Sequence, residues 1–212
     1  MKDKEIIKII IAIAILTLII GFTPLIEFNL TGIGLSILFA FIIIIANLSG
    51  KHFAASKLDS AVEHDIWMFS RFGFKPHWHL KKPASAGIIL PLVGTAFSLG
   101  LLKISSILTY ETSALRRRAA RRHGRTSFTE MTDWHIALIG ASGIVAVLIV
   151  SIIAYLIGPI SGLAKIAVFY AFWNMIPFSK LDGIQIYFGS RIIWTILAII
   201  TLIFTSYALL LP

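Results

Sequence analysis

Trp134-His-Ile-Ala-Leu-Ile-Gly-Ala-Ser-Gly-Ile-Val-Ala-Val-Leu-Ile-Val-Ser-Ile-Ile-Ala-Tyr-Leu-Ile157 carries no Asp, Glu, Lys or Arg. A helix needs about 20 mostly apolar residues to cross the hydrocarbon core of a bilayer, and this run supplies them. The rest of the chain agrees with a membrane reading. Of its 212 residues, 58% are hydrophobic and 14% charged, with a mean hydropathy of +0.90; an ordinary soluble domain carries about 25% charged residues. A soluble domain of this size has no interior large enough for so much apolar surface. A soluble enzyme, a disordered chain and a conventional DNA-binding domain are excluded. The net charge is nevertheless +9, from 19 Lys+Arg against 10 Asp+Glu. Cysteine is absent, which removes disulfides, thiolate zinc sites and Cys nucleophiles.

Working outward from that run, apolar stretches over about 9–26, 30–49, 163–178 and 192–211 read as further spans. The first follows Met1–Lys8 without a small-residue cleavage site and ends at Thr23-Pro24, which reads as an uncleaved signal anchor. The segments 51–82 and 111–133 are polar and basic. Between them, 83–110 is apolar but broken by Pro91, Gly94 and Gly100. Cytoplasmic loops collect Lys and Arg. A single crossing by 83–110 would put Arg116–Arg125 on the opposite side from the other basic segments. Entry and return on one side keeps the N-terminus and both basic loops cytoplasmic, with Lys165 as the exception. The expected fold is therefore an all-α polytopic membrane protein in a single domain, 1–212. It has five transmembrane helices plus a re-entrant or interfacial hydrophobic hairpin at 83–110, with six full spans as the alternative.

Arg116-Arg-Arg-Ala-Ala-Arg-Arg-His-Gly-Arg125 has no interleaved aromatics and lies between membrane segments. Anionic lipid headgroups are its expected partner, and nucleic acid is not. His77-Trp78-His79 places two imidazoles on one face only if it is a strand; it reads as an interfacial loop. Trp67, Trp78, Trp134, Trp173 and Trp194 fall mostly at span ends, as in an aromatic belt.

The stretch with the sharpest chemistry is Asn174-Met-Ile-Pro-Phe-Ser-Lys-Leu-Asp-Gly183. Pro177 breaks the helix and frees backbone groups, and an acid at the membrane edge, Asp182, is a candidate functional residue. The pattern N-x-x-P-x-x-x-L-D-G resembles the second motif of the site-2 protease family (peptidase M50), a family of intramembrane zinc metalloproteases. The following Ile184–Arg191 resembles the version in archaeal members. Glu63–Phe74 with the hydrophobic hairpin resembles the segment those members insert after their first motif. Thr129-Glu130 with Ile136–Ser142 resembles the start of the third core helix, although Gly140-Ala-Ser-Gly143 stands where the family has Gly-Pro and Asn. The resemblance implies that Asp182 occupies the third zinc-ligand position and that Asn174 and Pro177 help to form a groove for an extended substrate.

The first motif of that family, His-Glu-x-x-His, is absent. Its expected place reads Ala46-Asn47-Leu-Ser-Gly50, with neither metal ligands nor a base at Ala46, Asn47 and Gly50. Catalytic zinc takes three protein ligands, so a lone Asp182 does not hold it. The expectation is a homologue that has lost its zinc site, has no catalytic residues and no cofactor, and binds or regulates a membrane protein or transmembrane peptide. Asp182 then pairs with Lys180 or Lys51, and Asn47 and Ser49 fill the former ligand space. An active enzyme holding zinc through Asp182 and two of His52, His64 or His79 is one alternative. A membrane scaffold or lipid-contacting protein is the other.

Overall fold

Helices dominate because most of the chain is apolar and free of breakers over lengths of 15 residues or more. The computed structural model describes residues 3–71, 79–115, 131–158 and 160–210. In chain order these form α1 (Asp3–Ile20), α2 (Phe22–Ile26), α3 (Leu30–Lys57), β1 (Ser60–Ile66), β2 (Phe69–Arg71), β3 (His79–Ala84), α4 (Ala86–Phe97) and β4 (Leu108–Ala114). They continue with α5 (Asp133–Ile157), α6 (Ser161–Met175), α7 (Asp182–Gly189) and α8 (Arg191–Leu210). Among the described residues, α3, α5 and α8 are long and apolar enough to cross a membrane. The other two expected spans differ. Helix α1 carries Asp3, Lys4, Glu5 and Lys8 in its first two turns and stops at Gly21, and α6 is only 15 residues long.

Helix α5 is the hub. It packs on α3, α6 and α7, while α8 packs on α6 and α1 on α3. Ile43 and Ile44 of α3, Ile144 and Val147 of α5, and Ala167 and Ala171 of α6 are all buried where these helices meet. The outer faces are just as apolar: Ile149, Ile152 and Ile153 on α5 and Ile199, Leu202 and Ile203 on α8 are exposed. Water penalises such surfaces, whereas lipid does not. The α3 N-terminus is capped by Asn29, whose Oδ1 accepts from the Gly32 amide at 3.1 Å. Asn29→Ala should cost about 1 kcal/mol, read as a lowered midpoint in thermal unfolding of the detergent-solubilised protein.

The segment 83–110 folds back on itself. The Gly87 amide donates to Trp67 O and the Trp67 amide to Ile107 O, each at 2.9 Å, so both arms meet at Trp67. Only the outgoing arm is helical (α4, with Pro91 inside it). The returning arm has no regular structure over 102–107 and becomes β4. Its tip is fixed by Gly100, at φ +84°, packed on Phe22 and Thr23. The tip brings Lys103 to the cavity that Lys165 lines.

An all-α chain was expected, yet the polar segments hold two small sheets. β1 pairs antiparallel with β4 from Ser60↔Ala114 to Ile66↔Leu108, and β2 pairs with β3. In β1 the buried side chains alternate: Ser60, Val62, His64 and Ile66 point in, and Glu63 points out. That period of two is legible in Ser-Ala-Val-Glu-His-Asp-Ile once a strand is considered. The Arg116–Arg125 segment, Thr129-Glu130 and the His77-Trp78 pair lie outside the described residues, as does the His79 side chain.

Candidate functional site

Asp182 reaches its place through the chain reversal between α6 and α7. Pro177 forces Ile176 into an extended conformation (ψ 126°) and ends α6. Ser179, at φ +54°, turns the chain back, and α7 begins at Asp182. Gly183 lets α7 tuck beneath the end of α6: a Cβ there would collide with the carbonyl of Met175. The turn is anchored by Trp67, whose Nε1 donates to Ser179 Oγ at 3.1 Å and whose ring meets Phe178 edge-on. Trp67 is thus a buried packing residue rather than part of a belt. Trp194 Nε1 donates to Met175 O at 3.1 Å from the other side.

The side chains that face Asp182 come from α3, at Asn47 and Lys51. Lys51 Nζ lies 2.7 Å from Asp182 Oδ2, and both side chains are 1% exposed. Lys51 also sits over the Tyr110 ring, 4.5 Å from its centroid. Asn47 approaches the carboxylate closely enough to favour its charged form but does not reach hydrogen-bond geometry. Its two amide atoms and Asp182 Oδ1 are buried without a partner in the protein. Burial pushes the Asp182 carboxyl above the usual carboxylate range, and the ammonium of Lys51 draws it back down.

Asn47 and Lys51 are i and i+4, so they share one face of α3. The expected first-motif positions Ala46 and Gly50 lie one residue earlier and do not face Asp182. Ala46 packs against the apolar core, and Gly50 is pressed on α5, where its carbonyl accepts from Ser142 Oγ at 2.9 Å. Ser49, proposed as a filler, is exposed and bonds back to Ala46 O. Lys180 turns away to Glu111 at 3.7 Å on the surface. The Gly140-Ala-Ser-Gly143 segment of α5, read as a mismatch, is the cradle of this centre. Gly143 leaves room for the Lys51 stem, and Gly140 for the Tyr110 hydroxyl, which donates to Ile136 O at 2.8 Å.

Zinc is the metal that the resemblance implies, and this donor set does not fit it. Of Asn47, Lys51 and Asp182 only the carboxylate is an ordinary zinc ligand, and an ammonium already sits against it. Asn174 does not open onto a groove either. It is 1% exposed and donates Nδ2 to Tyr170 O at 2.9 Å and to Ser105 O at 3.4 Å, on the return arm of the hairpin. The chain's own return arm therefore covers Asn174, and Pro177 is left exposed.

Sequence reasoning missed Glu5. His52, half-buried, and His64, buried, do not turn toward Asp182. They converge with Glu5 of α1, their ligand atoms within 4.8 Å of one another. His64 is 2% exposed, and burial, aided by the charge of Lys51, pushes its imidazole down to about 2. It is therefore neutral, and Nδ1 donates to Glu5 Oε1 at 3.1 Å.

Comparison with protein-family models, curated proteins and solved structures returns no match. The likeness to site-2 proteases therefore rests on the residues of the motif alone.

Proposed function

We propose that this is a site-2 protease-like integral membrane protein in which an ion pair has replaced the zinc centre, and that it binds or regulates another membrane protein without cleaving it. The observation that supports this is the Lys51–Asp182 pair at 2.7 Å. Asp182, delivered by N-x-x-P-x-x-x-L-D-G, faces an i, i+4 pair on the helix before it. Three-ligand zinc centres use that relation, but here Asn47 and Lys51 stand in the ligand places, and no residue there serves as a base. The proposal includes five spans with the re-entrant hairpin, a cytoplasmic N-terminus and basic loops, and Arg116–Arg125 on anionic lipid.

The partner segment is taken to be an extended peptide beside β4. Among the described residues β4 pairs only with β1. Its other side meets a cavity of about 510 Å³ bounded by Thr109, Thr112, Lys180, Gln185 and Phe188. Strand addition supplies affinity through main-chain hydrogen bonds. Gln185 Nε2, which donates to Tyr110 O at 3.1 Å, is the group an incoming strand displaces.

A photo-crosslinking residue at Thr112 should trap a membrane-protein partner, while one at Asn174 should not. Trapping should persist in the Lys51→Met/Asp182→Leu double variant, which removes the buried charges together. Cleavage of transmembrane peptides by the purified protein, abolished by a chelator and by Asp182→Asn, overturns the proposal in favour of an active protease. Absence of any crosslink at Thr112 leaves the scaffold reading.

A further inference from the structure

Three elements distant in sequence place imidazole and carboxylate groups together away from Asp182. Glu5 comes from the first turn of α1, His52 from the last turns of α3, and His64 from the inward face of β1. Each arrives for a local reason. His64 points inward by the two-residue alternation of β1, which sends Glu63 to the opposite face. His52 follows Lys51 on α3, so it is turned about 100° from the face that meets Asp182. Glu5 is 6% exposed although it lies near a chain end.

The hydrogen bonds within the cluster do not account for its burial. His64 Nδ1 and the His64 amide both take Glu5 Oε1, at 3.1 Å each. The other ring nitrogen of His64, Nε2, is buried without any partner, which leaves a polar atom unsatisfied away from water. The His52 and His64 rings face each other with centroids 5.5 Å apart and planes tilted by 56°, too far apart for close stacking and suited to two donors converging on one centre.

We infer that Glu5, His52 and His64 form a binding site for one divalent transition-metal ion of the zinc class. Two imidazoles and a carboxylate are borderline nitrogen and oxygen donors, which suit zinc, copper, nickel or iron and not calcium or magnesium. Zinc bonds of about 2.0–2.1 Å bring three tetrahedral donors to about 3.4 Å from one another. The outer limit of 4.8 Å is closed by rotation of the half-buried His52 ring. The nearby ammonium groups have acidic partners of their own: Lys51 pairs with Asp182, and Lys8 with Asp65 at 2.8 Å. The bound ion ties the first turn of α1 to α3 and β1, adding to the apolar packing of α1 on α3 and to the Lys8–Asp65 pair.

The site does not depend on the ancestry argued for Asp182, and the test separates the two. The full-length protein in detergent, with its purification tag removed and stripped by chelator, is titrated with Zn²⁺ and Co²⁺. One metal per chain is expected, with visible absorption bands of cobalt held by nitrogen and oxygen donors. At zinc a hundred times its dissociation constant, the unfolding midpoint should rise by about 5–10 °C. His52→Gln and His64→Gln should each weaken binding by more than the roughly 10–100-fold that loss of an outer-shell partner costs. His135→Gln and Lys51→Met/Asp182→Leu should bind as the wild type does. His52→Gln carries the test if His64→Gln fails to fold, because the His52 ring is only half-buried. Absence of stoichiometric metal in the wild type overturns the inference, as does binding that survives His52→Gln. Metal lost with Asp182 but kept in His52→Gln overturns it too, and reinstates a zinc protease centre.

Discussion

Lys51→Met is expected to destabilise the protein by about 3–5 kcal/mol, because it strands the Asp182 carboxylate in a site that is 1% exposed. Asp182→Leu should cost a similar amount by stranding the ammonium. The double variant should recover most of the loss, since a buried ion pair replaced by apolar groups of like volume is often neutral or stabilising. Reversible unfolding of all three in detergent measures this. A double variant that loses the sum of the two single losses would show that the residues are not coupled, and the replacement of metal by ammonium would lose its physical basis. The experiment also separates two reasons for keeping the charges. If the double variant is as stable as the wild type and still captures its partner, the pair is a remnant that sets packing. If partner capture fails while stability holds, the charges contribute to recognition.

Gly183→Ala should cost about 3 kcal/mol, at the upper end of overpacking penalties. Its Cβ has nowhere to go: the Met175 carbonyl blocks it, and Ile176 O lies 2.8 Å from the same point. Both obstacles are backbone, so side-chain rotation gives no relief. Gly34→Ala is the control. Nothing lies within 4 Å of a Cβ there, and on an exposed helical position the change should stabilise by up to about 1 kcal/mol. Gly183 also holds Asp182 against Lys51, so Lys51→Met should cost less in the Gly183→Ala background than alone. Equal costs in both backgrounds would show that the turn does not position the carboxylate.

The long uncharged runs were legible because a membrane demands little of sequence beyond length and the exclusion of charge. Trp134–Ile157 became α5, and the run after Asn29 became α3, extended through Lys51 and Lys57 beyond its apolar part. The fold-back of 83–110, with both arms meeting at Trp67, accords with the broken pattern of Pro91, Gly94 and Gly100. The course of its return arm was not legible, because that arm is held by groups distant in sequence: the Trp67 amide on Ile107 O, Asn174 Nδ2 on Ser105 O, and Trp173 O, which accepts from the Ser106 hydroxyl. The β1–β4 sheet was missed because its alternation is written in polar residues within a basic segment. Asp182 stood out from its motif. Of the partners the sequence offers it, Lys51 meets Asp182 and Lys180 does not; the two stand on different elements, and the rotation of α3 rather than nearness in sequence decides between them.

Composition and local pattern by themselves determined the membrane class, the main helices, the break at Pro177 and the prominence of Asp182. Each of these depends on properties of neighbouring residues: hydropathy, ring constraint and charge. The tertiary structure decided what Asp182 meets, that Asn174 is occupied by the chain's own return arm, and that Glu5, His52 and His64 share one space. Those facts join residues tens of positions apart. They follow from how α3 is rotated against α5 and where the hairpin returns, and packing sets both, with no local preference to announce them.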